Sequence, residues 1–260
     1  MKAIAAFIFI SVLATSSLDL LFSLETEADS FVLDHINQIY SWEGSYLEKR
    51  NESGEFMYSF SQSDYGEIHS VDVSNPMKPL VYFKDFEHVY WLDQRLSIQT
   101  DPLDLSVKYP GSIRAVCYSV NNHMWLYHNS DQTLIRTDKR LSEISRSSPL
   151  SNWTDEQIEV VQMIEENEEV YVLTESSGIL VFDLFGTFVK KIPLKRPGHI
   201  QLDNNLIQYQ SENSIITYNQ RNHSSSFSEY KEIENGQAIV QANRLYVLKD
   251  DELKVFSLSD

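Results

Sequence analysis

Three runs decide the architecture: Glu169-Val-Tyr-Val-Leu-Thr174, then Gly178-Ile-Leu-Val-Phe-Asp183, then Phe188-Val-Lys-Lys-Ile192, each separated from the next by a short polar turn. β-Branched, aromatic and aliphatic residues in runs of this length, bounded by Ser, Asp and Gly, are strand chemistry. A fourth run, Ile158-Glu-Val-Val-Gln-Met-Ile164, precedes them and predicts an inner partner strand. Four successive strands with short turns make an up-and-down sheet.

The unit recurs along the chain. Val89-Tyr-Trp-Leu-Asp93, Leu134-Ile-Arg-Thr-Asp138, Ile179-Leu-Val-Phe-Asp183, Ile215-Ile-Thr-Tyr-Asn219 and Leu253-Lys-Val-Phe-Ser257 share one pattern of apolar positions and end on a small polar residue. Their last residues are spaced by 45, 45, 36 and 38 positions. The preceding run has six equivalents: Ile39-Tyr-Ser-Trp42, Val81-Tyr-Phe83, Met124-Trp-Leu-Tyr127, Val170-Tyr-Val-Leu173, Ile207-Gln-Tyr209 and Leu245-Tyr-Val-Leu248. The turn after the third run repeats as well: Asp93-Gln-Arg-Leu-Ser-Ile98 matches Asp138-Lys-Arg-Leu-Ser-Glu143. Four strands in about 41 residues is the unit of a propeller blade. The expectation is an all-β fold, a β-propeller of six four-stranded blades. A β-sandwich or barrel is the alternative, but those folds lack a higher-order repeat of this length. The sixth unit, from about Gly236, has room for three strands only. The apolar Leu18-Asp-Leu-Leu-Phe-Ser-Leu24 is therefore expected to supply its outer strand and close the ring. Asn152-Trp-Thr-Asp-Glu-Gln157 reads as a capped helical turn before the fourth unit.

At the start, Lys2 is followed by the apolar run from Ala3 to Ala14 and by small residues. That is the form of a secretory leader, cleaved after Ser16, and it is too short to span a bilayer. Residues 1–16 are thus expected to be a signal peptide and 17–260 a single propeller domain. Removing the leader leaves 244 residues and changes the formal charge from -17 to -18. The lone Cys117 rules out an internal disulfide and lies in an alternating apolar run, where a small core residue belongs. An exported chain without disulfides suits a bacterial periplasm, with association to the outer membrane as a further option. The Asn-x-Ser/Thr triplets at Asn51, Asn152 and Asn222 are then chance matches. A pI near 4.7 excludes a general nucleic-acid binder, because no surplus of Lys and Arg is available to neutralise phosphates. Glycine is scarce, 8 of 260 residues against roughly 7% on average, so the repeats are expected to turn mainly on Asp, Asn and Ser.

The segment Gly178-Ile-Leu-Val-Phe-Asp-Leu-Phe-Gly-Thr-Phe-Val-Lys-Lys-Ile192 resembles the repeat of NHL-type six-bladed propellers, in which an apolar strand ending in Asp leads through a Gly-containing turn into a second strand. The other units share the strand pattern and are read as lacking the turn glycine. The stretch from Ser74-Asn-Pro-Met-Lys-Pro-Leu-Val-Tyr-Phe-Lys-Asp-Phe-Glu87 to Leu92-Asp-Gln-Arg-Leu96 is similar to exported, mostly uncharacterised propeller proteins of Bacteroidota. The resemblance implies an envelope protein. Proteins of that kind include subunits of the type 9 secretion translocon, among them a periplasmic plug of the outer-membrane channel.

Chemistry is sparse. No His-Glu-x-x-His, calcium-loop, phosphate-loop or Gly-x-Ser-x-Gly pattern occurs, so no catalytic, cofactor-binding or metal residue is assigned and no cofactor is expected. His123 and His128 lie five apart, on opposite faces of one strand. Lactonase-type propellers hold a divalent metal in the central channel, and Asp34, Asp72 and Asp203 sit near the ends of three proposed inner strands. Their convergence would support a metal-dependent hydrolase; the simpler reading is that they are turn residues. The run Glu165-Glu-Asn-Glu-Glu169 is read as a solvated turn, and Trp153 as the best candidate for an exposed anchor. The expected function is a non-enzymatic, protein-binding periplasmic propeller, monomeric outside its complex, serving envelope assembly or secretion. Carbohydrate binding would require aromatic rings exposed flat on one face.

Overall fold

The computed structural model describes residues 18–154, 158–194 and 198–258; the expected leader and residues 155–157 of the expected helical turn lie outside them. The chain forms a six-bladed β-propeller of four-stranded antiparallel sheets. Strand β1 (Leu18–Glu25) comes first. Blade I then holds β2 (Ser30–Leu33), β3 (Ile39–Glu43), β4 (Tyr46–Arg50) and β5 (Phe56–Ser61). Blade II holds β6 (Ser70–Asp72), β7 (Leu80–Phe83), β8 (His88–Trp91) and β9 (Leu103–Asp104), and blade III holds β10 (Ile113–Ser119), β11 (His123–His128), β12 (Thr133–Thr137) and β13 (Glu143–Arg146). Blade IV holds β14 (Val160–Glu166), β15 (Glu169–Thr174), β16 (Gly178–Asp183) and β17 (Phe188–Ile192). Blade V holds β18 (Ile200–Asp203), β19 (Leu206–Ser211), β20 (Ser214–Asn219) and β21 (Ser224–Glu229). Blade VI is β22 (Gln237–Gln241), β23 (Arg244–Lys249) and β24 (Glu252–Leu258), with β1 antiparallel to β24 as its outer strand. Helical structure among the described residues is limited to short 3-10 turns. One of them, at Leu150–Asn152, ends on the first residue of the expected helical turn, and Trp153 and Thr154 are not helical.

In blades II to IV the second and third strands are buried on both faces, which is why they read as near-continuous apolar runs. On β15, Val170 and Val172 face blade III, while Tyr171 and Leu173 face blade V. Each pair of neighbouring blades shares one such cluster among the described residues, and the seam between blades VI and I is filled by Phe31, Ile39, Tyr246 and Val255. Buried apolar area contributes about 25 cal/mol per Å², so the wedges between blades are the main source of cohesion.

The link from third to fourth strand follows one design. In Asp183-Leu-Phe-Gly-Thr187 the carboxylate accepts the backbone N–H groups of Phe185 and Thr187, at 2.8 and 2.9 Å, and Gly186 takes a φ of 80°. Asn51, Asp93 and Asp138 make the same pair of bonds in blades I to III. The left-handed residue is Gly54 in blade I, Leu96 in blade II and Leu141 in blade III. Blade I thus carries the turn glycine that the repeat pattern assigns to blade IV alone. The two leucines are held against their conformational preference by the polar cap and by packing, Leu96 being buried. In blade V the loop between Asn219 and Ser224 is one residue longer, and His223 takes the left-handed position.

Gly186 has no room for a side chain, since a Cβ would lie 2.7 Å from Ser147 N and 2.8 Å from Arg146 C. Gly186→Ala is therefore expected to destabilise the fold by about 1–3 kcal/mol. Urea unfolding followed by tryptophan fluorescence checks this, and an unchanged midpoint would refute the crowding at this turn.

Candidate functional site

The first strand of each blade lines the central axis. In an up-and-down sheet the turns after the first and third strands fall at one end of the ring, and the turns after the second fall at the other. Asp34, Asp72 and Asp203 all lie at the first end, and each is engaged close to home. Asp34 is buried; its Oδ1 accepts Ile36 N and Gln38 N, and its Oδ2 accepts the Tyr40 hydroxyl. Asp72 accepts Ser74 N on one oxygen and, across the seam, Tyr118 N at 2.7 Å on the other. Asp203 is exposed and accepts the Asn204 amide. No three His, Cys, Asp or Glu side chains gather among the described residues so as to hold a metal ion. The carboxylates act as turn and seam residues.

Glu165 corrects the reading of its acidic run. Its carboxylate lies in the seam between blades III and IV, accepting Val120 N at 2.9 Å, Trp125 Nε1 at 2.7 Å and the Ser119 hydroxyl. Ser119 in turn accepts the guanidinium of the buried Arg136. Only Asn167 and Glu168 form the turn proper. Burial raises the pKa of the neighbouring Glu166, a backbone bond from Asn204 opposes this, and Asp203 adds to it. Cys117 is fully buried in blade III, and that burial drives its thiol pKa far upward, so it is a core residue. Trp153 is partly covered: its ring stacks on Phe188 at 4.2 Å and 7°, leaving 39% exposed.

The opposite end holds a cluster that no motif announces. His69 precedes β6, Arg114 is the second residue of β10, and His199 precedes β18. All three side chains are exposed, and desolvation by the surrounding protein lowers the pKa of both histidines. His69 is pushed down to about 4, first by burial, then by Lys84, with Asp85 opposing and His199 and Arg114 adding to the shift. Its ring meets Tyr82 edge-on at 6.0 Å. Beside it lies a cleft of about 450 Å³ lined by Lys84, Asp85, Phe86, Ser106, Ile113 and Arg114. Glu87, also on its wall, already accepts Gly111 N and Ile113 N. The sequence hides this group because its members are 45 and 85 residues apart.

No protein-family model and no curated protein matches the chain. Solved structures do match. BamB from Moraxella catarrhalis superposes with a TM-score of 0.58 at 10% identity, over 94% of this chain and 98% of that one. Virginiamycin B lyase from Staphylococcus aureus gives 0.60 at 11% identity, over 90% and 81%. A protein of unknown function from Bacteroides caccae gives 0.54 at 11%, over 78% of each chain. Likeness at such identities establishes the propeller fold and nothing finer.

Two measurements check the arrangement. Glu165→Ala strands three donors in the seam and should cost about 3 kcal/mol, while Glu165→Gln, which keeps an acceptor, should cost less; equal losses in urea unfolding would contradict the network. By NMR, His69 should remain neutral at pH 6 and titrate near pH 4, and Lys84→Ala or Arg114→Ala should move its midpoint upward. Because the unfolded chain binds the proton near 6.5 and the folded chain only near 4, this group's contribution to stability falls as pH drops through that window. His69→Gln should flatten that part of the profile.

Proposed function

We propose that this chain is a non-enzymatic binding propeller of the bacterial periplasm, exported by its leader, closed by β1, and serving envelope assembly or secretion through a protein partner at the outer membrane. A type 9 secretion complex is the partner class we favour, following the resemblance of the Ser74–Leu96 region to exported Bacteroidota propellers. One observation carries the reading. The turns at the Asp34 end display exposed Ile36, Met77, Ile98 and Phe185, the last 78% accessible, together with exposed Arg95, Arg140 and Arg221. None of these arginines is ion-paired among the described residues. Arginine, methionine and aromatic residues are the types enriched in protein interfaces. The carboxylates that a metal-dependent hydrolase would need are meanwhile engaged by the chain's own donors.

The test is affinity capture from solubilised envelopes followed by mass spectrometry. The wild-type chain should recover an outer-membrane complex, and Phe185→Asp combined with Arg140→Glu should reduce recovery at least tenfold. A chelator should leave the melting temperature unchanged, since a resident metal would raise it by linkage. Failure to recover a complex, or a fall in melting temperature with chelator, would overturn the reading.

A further inference from the structure

We propose that the free edge of β21 is a docking site for an extended, basic segment of a partner protein, added to blade V as a fifth strand. This rests on the reading of the chain as a binding propeller and adds to it a surface and a mode of recognition.

Every blade presents an outer edge, and five of the six are blunted. Strand β9 has two residues. In β5, β13, β17 and β1 the register shifts at Met57, Ile144, Val189 and Leu21, which are left out of the ladder as bulges. Bulges, short strands and lysines such as Lys190 and Lys191 are how natural sheets discourage edge pairing. Strand β21 has none of these. Ser224 to Glu229 pair with Asn219 to Ser214 in six unbroken steps, all six residues are exposed, and the strand contains no proline or lysine. The longer Asn219–Ser224 loop is the cause, because it restores the register without a bulge.

The ladder also fixes which groups are free. Tyr230 N donates to Asn213 O, so Tyr230 and Asn213 are a hydrogen-bonded pair, and such pairs alternate along antiparallel strands. Ser228, Ser226 and Ser224 are therefore bonded inward to β20. Ser225, Phe227 and Glu229 aim their N–H and C=O groups outward. Phe227 is 74% exposed and shares a sheet face with Ile216 and Tyr218, so an added strand would lay alternate side chains beside an aromatic ring. Main-chain bonds give affinity in this mode and alternate side chains give selectivity.

Charge selects the occupant. From 200 to 236 the chain carries Asp203, Glu212, Glu229, Glu232 and Glu234 against Arg221 and Lys231. The whole chain stands at -17, so a second copy is repelled and a cationic segment is attracted.

The experiment uses a blocked synthetic hexapeptide of alternating lysine and valine. Amide exchange by NMR should slow at least tenfold at Ser225, Phe227 and Glu229, and the effect should weaken with added salt. Phe227→Pro removes one outward N–H, leaves the β20 ladder intact and should abolish protection; Ser225→Lys with Phe227→Lys is the substitute if the proline variant misfolds. Absence of protection, equal protection in the variant, or protection on another blade overturns the proposal. So does concentration-dependent self-association of the wild type that the variant loses, which would give the edge to a second copy. In envelope capture, a partner kept by Phe227→Pro overturns the edge site and leaves the binding reading standing. No partner for either protein overturns that reading itself.

Discussion

A ring of antiparallel sheets leaves the inner edge of every first strand without a sheet partner, and the rest of the molecule depends on how those main-chain groups are satisfied. Here side chains cross the seams to do it. Gln162 of β14 donates to Ile200 O and accepts Ile200 N in the next blade. Gln237 of β22 does the same for Phe31, and Gln210 bonds Gly236 O and Ala238 N. An amide placed this way imitates one rung of a β-ladder. Between blades II and III the acceptors are Asp72 and Glu87, and between III and IV the acceptor is Glu165. The apolar wedges supply cohesion without direction, whereas these bonds fix the rotation of each blade against its neighbour.

The architecture was legible because it is written locally. Alternating apolar runs such as Glu169–Thr174, a polar residue closing the third strand, and a spacing near 41 residues all lie within one blade. The seams were not legible. Gln162 and Gln237 look like surface residues of their strands, and their partners are 38 and 206 positions away. Glu165 looked solvated for the same reason: its donors, Ser119, Val120 and Trp125, belong to the previous blade. Asp34, Asp72 and Asp203 were placed correctly at strand ends, but periodicity says nothing about which neighbour a carboxylate will meet. The edge of β21 was half visible, since the short spacing of 36 from Asp183 to Asn219 marked blade V as different without saying how.

The acidic balance of the chain is unevenly distributed. Several carboxylates, among them Asp93, Asp138 and Asp183, face inward to cap backbone N–H groups. Arg95 and Arg140, on the first two of these turns, extend into solvent. Net charge therefore describes how the whole molecule is felt at a distance, while the turns at one end offer a partner guanidinium groups and apolar tips at contact range. The field of the whole chain thus acts at encounter, and the turn residues act at contact.

The seams described above use two kinds of joint. Amides carry no ionisable proton, so the joints formed by Gln162, Gln210 and Gln237 keep their bonding pattern at any pH. The joints formed by Asp72, Glu87 and Glu165 instead make their bonds across the seam as acceptors only. An amide thus satisfies both a C=O and an N–H of the next blade, whereas a carboxylate satisfies donors alone. The choice between the two sets whether a joint draws on both polarities of its neighbour's backbone or on its donors alone.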